Sequence, residues 1–163
     1  MELYLLRHGV AEERSATGRD ADRVLTTEGV LKLERVLELA RDAGVRPSLI
    51  LSSPYTRAKK TAEIAAASLG YSGKVLNSSA FAPDSSPFKL WEELRVHDGE
   101  ASVLIAAHEP LLSSTVAWFA NSAREIIRFV PAAMVRIDFA ALGPHPEGLM
   151  RWMISPELIQ PRP

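Results

Sequence analysis

Three short apolar runs, each ending at once in a polar junction, constrain this chain more than any other feature. Leu3-Tyr4-Leu5-Leu6 ends at Arg7-His8-Gly9. Leu49-Ile50-Leu51 ends at Ser52-Ser53-Pro54, and Val103-Leu104-Ile105-Ala106-Ala107 ends at His108-Glu109-Pro110. Apolar runs of this length without alternation read as strands covered on both faces.

Segments of helical period lie between them. Thr26 is a candidate N-cap, with Leu25 and Val30 at the spacing of a hydrophobic staple and Glu28 in the first turn. Leu33, Val36, Leu37 and Ala40 then recur on one face, and Gly44 supplies a stop. Ser53 as cap and Pro54 as first residue predict a second helix that turns Ala58, Thr61, Ala62, Ala65 and Leu69 inward and ends at Gly70. Lys74 to Asn77 reads as a short strand, and Phe81 to Pro87 as a loop rich in turn formers. Ser86-Pro87 opens a helix that buries Leu90, Trp91 and Leu94. Pro110 opens another, with Leu112, Thr115, Val116 and Phe119 on one face.

The pattern changes after residue 130. Val135, Ile137 and Phe139 alternate with Arg136 and Asp138, and Met150, Trp152 and Ile154 alternate with Arg151 and Met153. This is the period of antiparallel strands near a sheet edge. The expected fold is α/β: a three-layer α/β/α sandwich whose mostly parallel sheet carries an antiparallel strand pair toward the C-terminus. No repeat or linker interrupts the 163 residues, which are expected to form one domain.

Composition narrows the function. A formal net charge of −1 gives no reason to expect a nucleic-acid or membrane partner. The absence of cysteine excludes disulfides and thiolate chemistry. Glu2 and Arg7 interrupt the first apolar stretch, so no secretory signal is expected and a cytoplasmic protein is.

In open α/β sheets, ligands bind beyond the carboxyl ends of the strands. The junctions therefore predict that Arg7, His8, Arg57 and His108 meet in one cleft, a cationic pocket with no carboxylate among them. Guanidinium forks match phosphate oxygens, and Arg57 falls in a first helical turn whose free N–H groups favour the same anion. A neutral histidine ring offers a nucleophilic lone pair. His97 and His145 are expected to face solvent.

These residues resemble the histidine phosphatase superfamily, also called phosphoglycerate mutase-like. Arg7-His8-Gly9 matches its signature, Leu25-Thr26-Thr27-Glu28-Gly29 its Leu-Thr-x-x-Gly element, Ser53-Pro54-Tyr55-Thr56-Arg57-Ala58 its second arginine motif, and His108 its second histidine. The match is collinear from about Met1 to Pro156. Small size, Ala11-Glu12 and Asp22-Arg23-x-Leu25-Thr26 resemble the SixA-like branch, the protein phosphohistidine phosphatases. The resemblance implies His8 as nucleophile and phosphohistidine intermediate. It implies that Arg7, Arg57 and His108 hold the phosphoryl oxygens, and that the Gly9 carbonyl orients the His8 ring. It implies no metal and no cofactor. Glu109 departs from the pattern and is expected to raise the pKa of His108.

Larger members of the family protonate the leaving group with an inserted acid. The candidates here are Asp84, in a short loop, and Glu12, with Glu13 beside it. A phosphohistidine substrate needs such an acid least, because imidazole leaves more readily than an alkoxide. The expected partner is thus a phosphorylated protein or a small phosphate compound. The alternatives are a small-molecule phosphomonoesterase, an inactive phosphate-binding module and, with least material for a second pocket, a mutase.

Overall fold

The computed structural model describes residues 1–159. Six strands and four helices follow one another in the expected alternation. They are β1 (Glu2–Arg7), α1 (Thr27–Asp42), β2 (Leu49–Ser52), α2 (Thr56–Leu69), β3 (Leu76–Asn77), α3 (Pro87–Arg95), β4 (Ser102–Ala107), α4 (Leu111–Phe119), β5 (Met134–Phe139) and β6 (Gly148–Ile154). The sheet order is β3-β2-β4-β1-β5-β6. The pairs β2/β3, β2/β4 and β1/β4 are parallel, and β1/β5 and β5/β6 are antiparallel.

Alternation along β1 divides the core. Leu3 and Leu5 pack with Leu90, Trp91, Leu112 and Val116 of α3 and α4. Tyr4 and Leu6 pack with Leu33, Val36, Leu37, Ala62 and Ala65 of α1 and α2. The central strands are thus covered on both faces, which is why they carry no polar alternation. β6, at the edge, is half-buried at Trp152, Met153 and Ile154 and exposed at Leu149 and Met150.

The helix signals hold at α1 and α3. Thr26 Oγ1 accepts the Gly29 N–H at 2.9 Å, and Ser86 Oγ accepts the Lys89 N–H at 3.3 Å with Pro87 at the first position. Gly44 follows α1 at φ 86°, in the left-handed region that suits glycine. α2 differs. Its N-cap is Tyr55, which makes no side-chain cap bond, so the helix begins at Thr56 rather than Pro54. The Ser53 hydroxyl that was expected to cap is engaged with His108 at 2.8 Å and meets only the Tyr55 N–H, at 3.3 Å.

Register brings the strand ends together. Arg7 stands opposite Ala107, and Ser52 opposite Ala106. The chain continues the ladder past the strands: His8 N–H donates to the Ala107 carbonyl and Ser53 N–H to the Ala106 carbonyl, both at 3.0 Å. The residues that follow β1, β2 and β4 therefore emerge side by side.

Candidate active site

His8 is fixed at both ring nitrogens. Nδ1 lies 2.7 Å from the Gly9 carbonyl oxygen, which can only accept, so Nδ1 carries the proton. Nε2 is then the lone-pair nitrogen, and it accepts the Arg57 Nε–H at 3.3 Å. Burial, reinforced by Arg57, Arg7 and Arg23, lowers the His8 pKa to about 4 against the pull of the Gly9 bond. The ring is neutral near pH 7, with its lone pair turned to the Arg57 guanidinium.

The loop that holds His8 rests on the Leu25–Gly29 element. Thr26 N–H donates to the Val10 carbonyl at 2.9 Å. A Cβ on Gly29 would stand 2.2 Å from that same oxygen, so only glycine allows α1 to approach so closely. Space is tight at Gly9 too, where a Cβ would meet the Gly29 carbonyl oxygen at 3.1 Å. Thr61 ties this loop to α2. Its hydroxyl accepts the Gly9 N–H at 3.2 Å and donates to the Arg57 carbonyl at 2.7 Å.

His108 stands beside His8, with ring centroids 5.0 Å apart, and the Tyr55 ring packs on it edge-to-face with centroids 5.2 Å apart. Its Nε2 shares the bond to the Ser53 hydroxyl, and its Nδ1 is buried without a hydrogen-bond partner among the described residues. Burial first, then His8 and Arg57, push its pKa well down. Arg7 donates from Nη1 to the Phe129 carbonyl at 2.6 Å, while its Nε is buried and unpaired among the described residues. Burial also lowers the Arg7 pKa, with Glu109 opposing. Of the four residues expected to meet, His8 touches Arg57 and His108, and these three are 9%, 5% and 1% exposed in that order, whereas the Arg7 side chain lines a neighbouring cavity with Glu109, Pro110, Glu125 and Arg128.

Two carboxylates stand where the sequence reading placed them otherwise. The pocket was expected to lack one, yet Asp20 grips Arg57. Arg57 Nη2 donates to Asp20 Oδ2 at 3.0 Å and Nη1 to the Asp20 carbonyl at 2.8 Å. Asp20 sits in a polar segment with no apolar periodicity to place it, and only tertiary packing of its 3-10 turn (Asp20–Asp22) against α2 brings it here. Glu109 does not raise the pKa of His108. Its carboxylate turns the other way, accepting the Ser113 hydroxyl at 2.5 Å and the Phe129 N–H at 3.4 Å. The sequence also missed Ser53 as a partner of His108, because Ser-Pro before a helix reads as capping.

The candidate acids Asp84, Glu12 and Glu13 are all exposed. Among the described residues no hydrogen bond or ion pair joins their carboxylates to the four pocket residues. His145 is exposed as expected, and His97 is half-buried. No group of three His, Cys, Asp or Glu among the described residues is placed to hold a metal ion. No helix among them is long and apolar enough to cross a membrane.

A pocket of two arginines and two neutral histidines at parallel strand ends suits a phosphoryl group. Comparison with known proteins agrees. The description "Histidine phosphatase superfamily (branch 1)" matches residues 3–78. An uncharacterized protein of Picosynechococcus sp. (strain ATCC 27264 / PCC 7002 / PR-6) is 37% identical over 111 residues, 68% of this chain and 67% of that protein. The chain belongs to the histidine phosphatase superfamily. The phosphohistidine phosphatase SixA of Escherichia coli (strain K12) is 27% identical over 158 residues, 96% of this chain and 94% of the relative. The solved structure of the protein histidine phosphatase SixA complexed with tungstate superposes with a TM-score of 0.84 at 25% identity, covering 96% of this chain and 97% of that one. Membership of this superfamily implies a phosphatase.

Proposed function

We propose that this histidine phosphatase takes a phosphoryl group onto His8 Nε2 and passes it to water, and that its substrate is a protein phosphohistidine. The observation that carries this reading is the His8 ring itself. The Gly9 carbonyl holds the proton on Nδ1, which leaves Nε2 unprotonated and facing the Arg57 guanidinium.

In the first step the Nε2 lone pair forms a bond to phosphorus. The bond from phosphorus to the leaving nitrogen breaks, and its electron pair stays on that nitrogen. The Arg57 Nε–H, released from Nε2, turns to a phosphoryl oxygen. Arg7 Nε–H and His108 Nδ1, buried without a hydrogen-bond partner among the described residues, are further candidates to bind it. In the second step a water oxygen attacks phosphorus, and the electron pair of the phosphorus–nitrogen bond returns to Nε2. Inorganic phosphate leaves. Fixed charges of this kind supply most of the acceleration in phosphoryl transfer.

The choice of phosphohistidine follows from what donates the leaving-group proton. Asp84 and Glu12 have no tie to the pocket. Asp20 is held ionised, chiefly by its bond to Arg23 and also by Arg57, so it is a poor acid. A phosphoimidazole that carries a proton on its far nitrogen leaves as neutral imidazole and asks for no enzyme acid. An alkyl phosphate has no such exit. Likeness to SixA over most of the chain supports the same choice. The reading takes residues 1–163 as one domain, of which 160–163 lie outside the described residues.

Turnover on a phosphorylated histidine-containing phosphotransfer protein, against phosphoserine peptides and sugar phosphates, tests the substrate. The phosphoprotein should be hydrolysed with the highest kcat/KM. Preference for sugar phosphates would favour a small-molecule phosphomonoesterase instead.

A further inference from the structure

All three nitrogens of the Arg57 guanidinium are engaged inside the protein. Nε goes to His8, Nη1 to the Asp20 carbonyl, and Nη2 to the Asp20 carboxylate. Asp20 in turn receives Arg23 Nη1 on its other oxygen at 2.8 Å. This carboxylate is therefore clamped between two guanidinium groups. It is also open to solvent: the Asp20 side chain is 56% exposed, while that of Arg57 is 6% exposed. The other groups bonded to the pocket side chains, from Gly9, Ser53 and Phe129, are all buried.

This asymmetry has a chemical consequence. His8 and His108 close the pocket toward the interior. Among the described residues, Asp20 is the exposed group tied to these buried side chains, so a leaving group that reaches solvent along Arg57 passes its carboxylate. The Asp20 charge reaches as deep as His108, whose protonated form it favours. By offsetting the positive charge of Arg57 and Arg23, the carboxylate lowers the attraction an anionic leaving group would meet and so favours, by comparison, groups that bring a proton or a positive charge.

We propose that Asp20 is a specificity-determining residue: its clamped carboxylate discriminates against phosphates with anionic leaving groups and favours neutral or cationic ones, among them the protonated imidazole of a phosphohistidine. The proposal rests on His8 as nucleophile, because that fixes the side from which the leaving group departs. Arg23 takes part as the residue that holds the carboxylate in place and ionised. Asp20 has a structural role too, propping Arg57, and the experiment must separate the two.

Three aryl phosphates share one scissile bond and differ only in the charge on the far side of the ring: phenyl phosphate, 4-carboxyphenyl phosphate and 4-(aminomethyl)phenyl phosphate. The readout is the ratio of kcat/KM for the carboxy compound to that for the aminomethyl compound, in wild type, Asp20→Asn and Asp20→Glu. Intrinsic reactivity cancels when variants are compared. Removing one partly screened charge should raise the ratio in Asp20→Asn about tenfold. Asp20→Glu, which keeps the charge, should hold it within about twofold of wild type. If Asp20→Asn lowers all three substrates in proportion, Asp20 only props Arg57 and the proposal is overturned. Should that variant turn over too slowly, competition by 4-carboxyphenylphosphonate and 4-(aminomethyl)phenylphosphonate gives the corresponding ratio from binding alone. Activity that persists in His8→Ala would instead sink the nucleophile reading, and the proposal with it.

Discussion

Arg57 donates its Nε–H to His8 Nε2 at 3.3 Å, so the nitrogen that would attack phosphorus is held by the cation that would stabilise the product of that attack. Lysine cannot reproduce this. It carries one ammonium where arginine offers a planar fork with donors to His8 and Asp20 at once. Arg57→Lys should lower kcat/KM on an aryl phosphate by about 100- to 1,000-fold, the range seen when one preorganised transition-state donor is lost. A loss of less than tenfold would mean that Arg57 is not a principal oxyanion ligand.

Ser53 is fully buried and supplies the described bond to His108 Nε2. Ser53→Ala removes that partner and leaves the ring nitrogen buried. The expected cost is about 1–3 kcal/mol of stability in urea unfolding, because a stranded polar group forfeits its solvation. Activity should fall as well, since the His108 ring loses its anchor. A variant as stable as wild type would show that the tie to His108 contributes nothing to stability.

Gly29→Ala tests the packing beneath the signature loop. The new Cβ would sit 2.2 Å from the Val10 carbonyl oxygen, a backbone atom with little room to retreat. The expected destabilisation is about 3 kcal/mol or more, with activity lost alongside because Val10 carries the His8 loop. Gly99→Ala is the control, since a Cβ there meets nothing within 4 Å. Urea unfolding of both variants decides the point, and equal midpoints would contradict it.

Stability should fall on acidification, and the sign follows from His8. Its pKa is about 4 in the folded protein and near 6.5 when unfolded. Between those values the unfolded chain binds more protons, so stability is full above about pH 6.5 and is lost as pH falls toward about 4. His108, shifted the same way, adds to the effect. His8→Asn should flatten the decline in unfolding free energy between pH 7 and pH 4.5, by up to ~3 kcal/mol across the window. An equally steep decline in that variant would place the acid sensitivity elsewhere.

Much of this site is legible in sequence because strand ends are legible. Leu3–Leu6, Leu49–Leu51 and Val103–Ala107 are apolar runs with sharp ends, and parallel pairing makes sharp ends meet. His8, Arg7, His108 and Arg57 inherit their positions from that rule. The residues that modulate them do not. Asp20 lies in a segment whose fold is set by its contacts with α2 rather than by any local pattern. Ser53 satisfies two rules at once, cap and side-chain partner, and the sequence cannot say which tertiary bond wins. Glu109 shows the limit of adjacency. It follows His108 in the chain, but successive residues past a strand end point apart, and its carboxylate serves Ser113 and Phe129.

Trapping the phosphoryl group tests the nucleophile most directly. The enzyme is mixed with a labelled phosphohistidine protein or aryl phosphate, quenched within milliseconds in base, and mapped by peptide. One labelled adduct is expected on His8, stable in base, lost in acid and absent in His8→Ala. A label at another residue, or wild-type turnover with no adduct at any quench time, would contradict a phosphohistidine intermediate on His8.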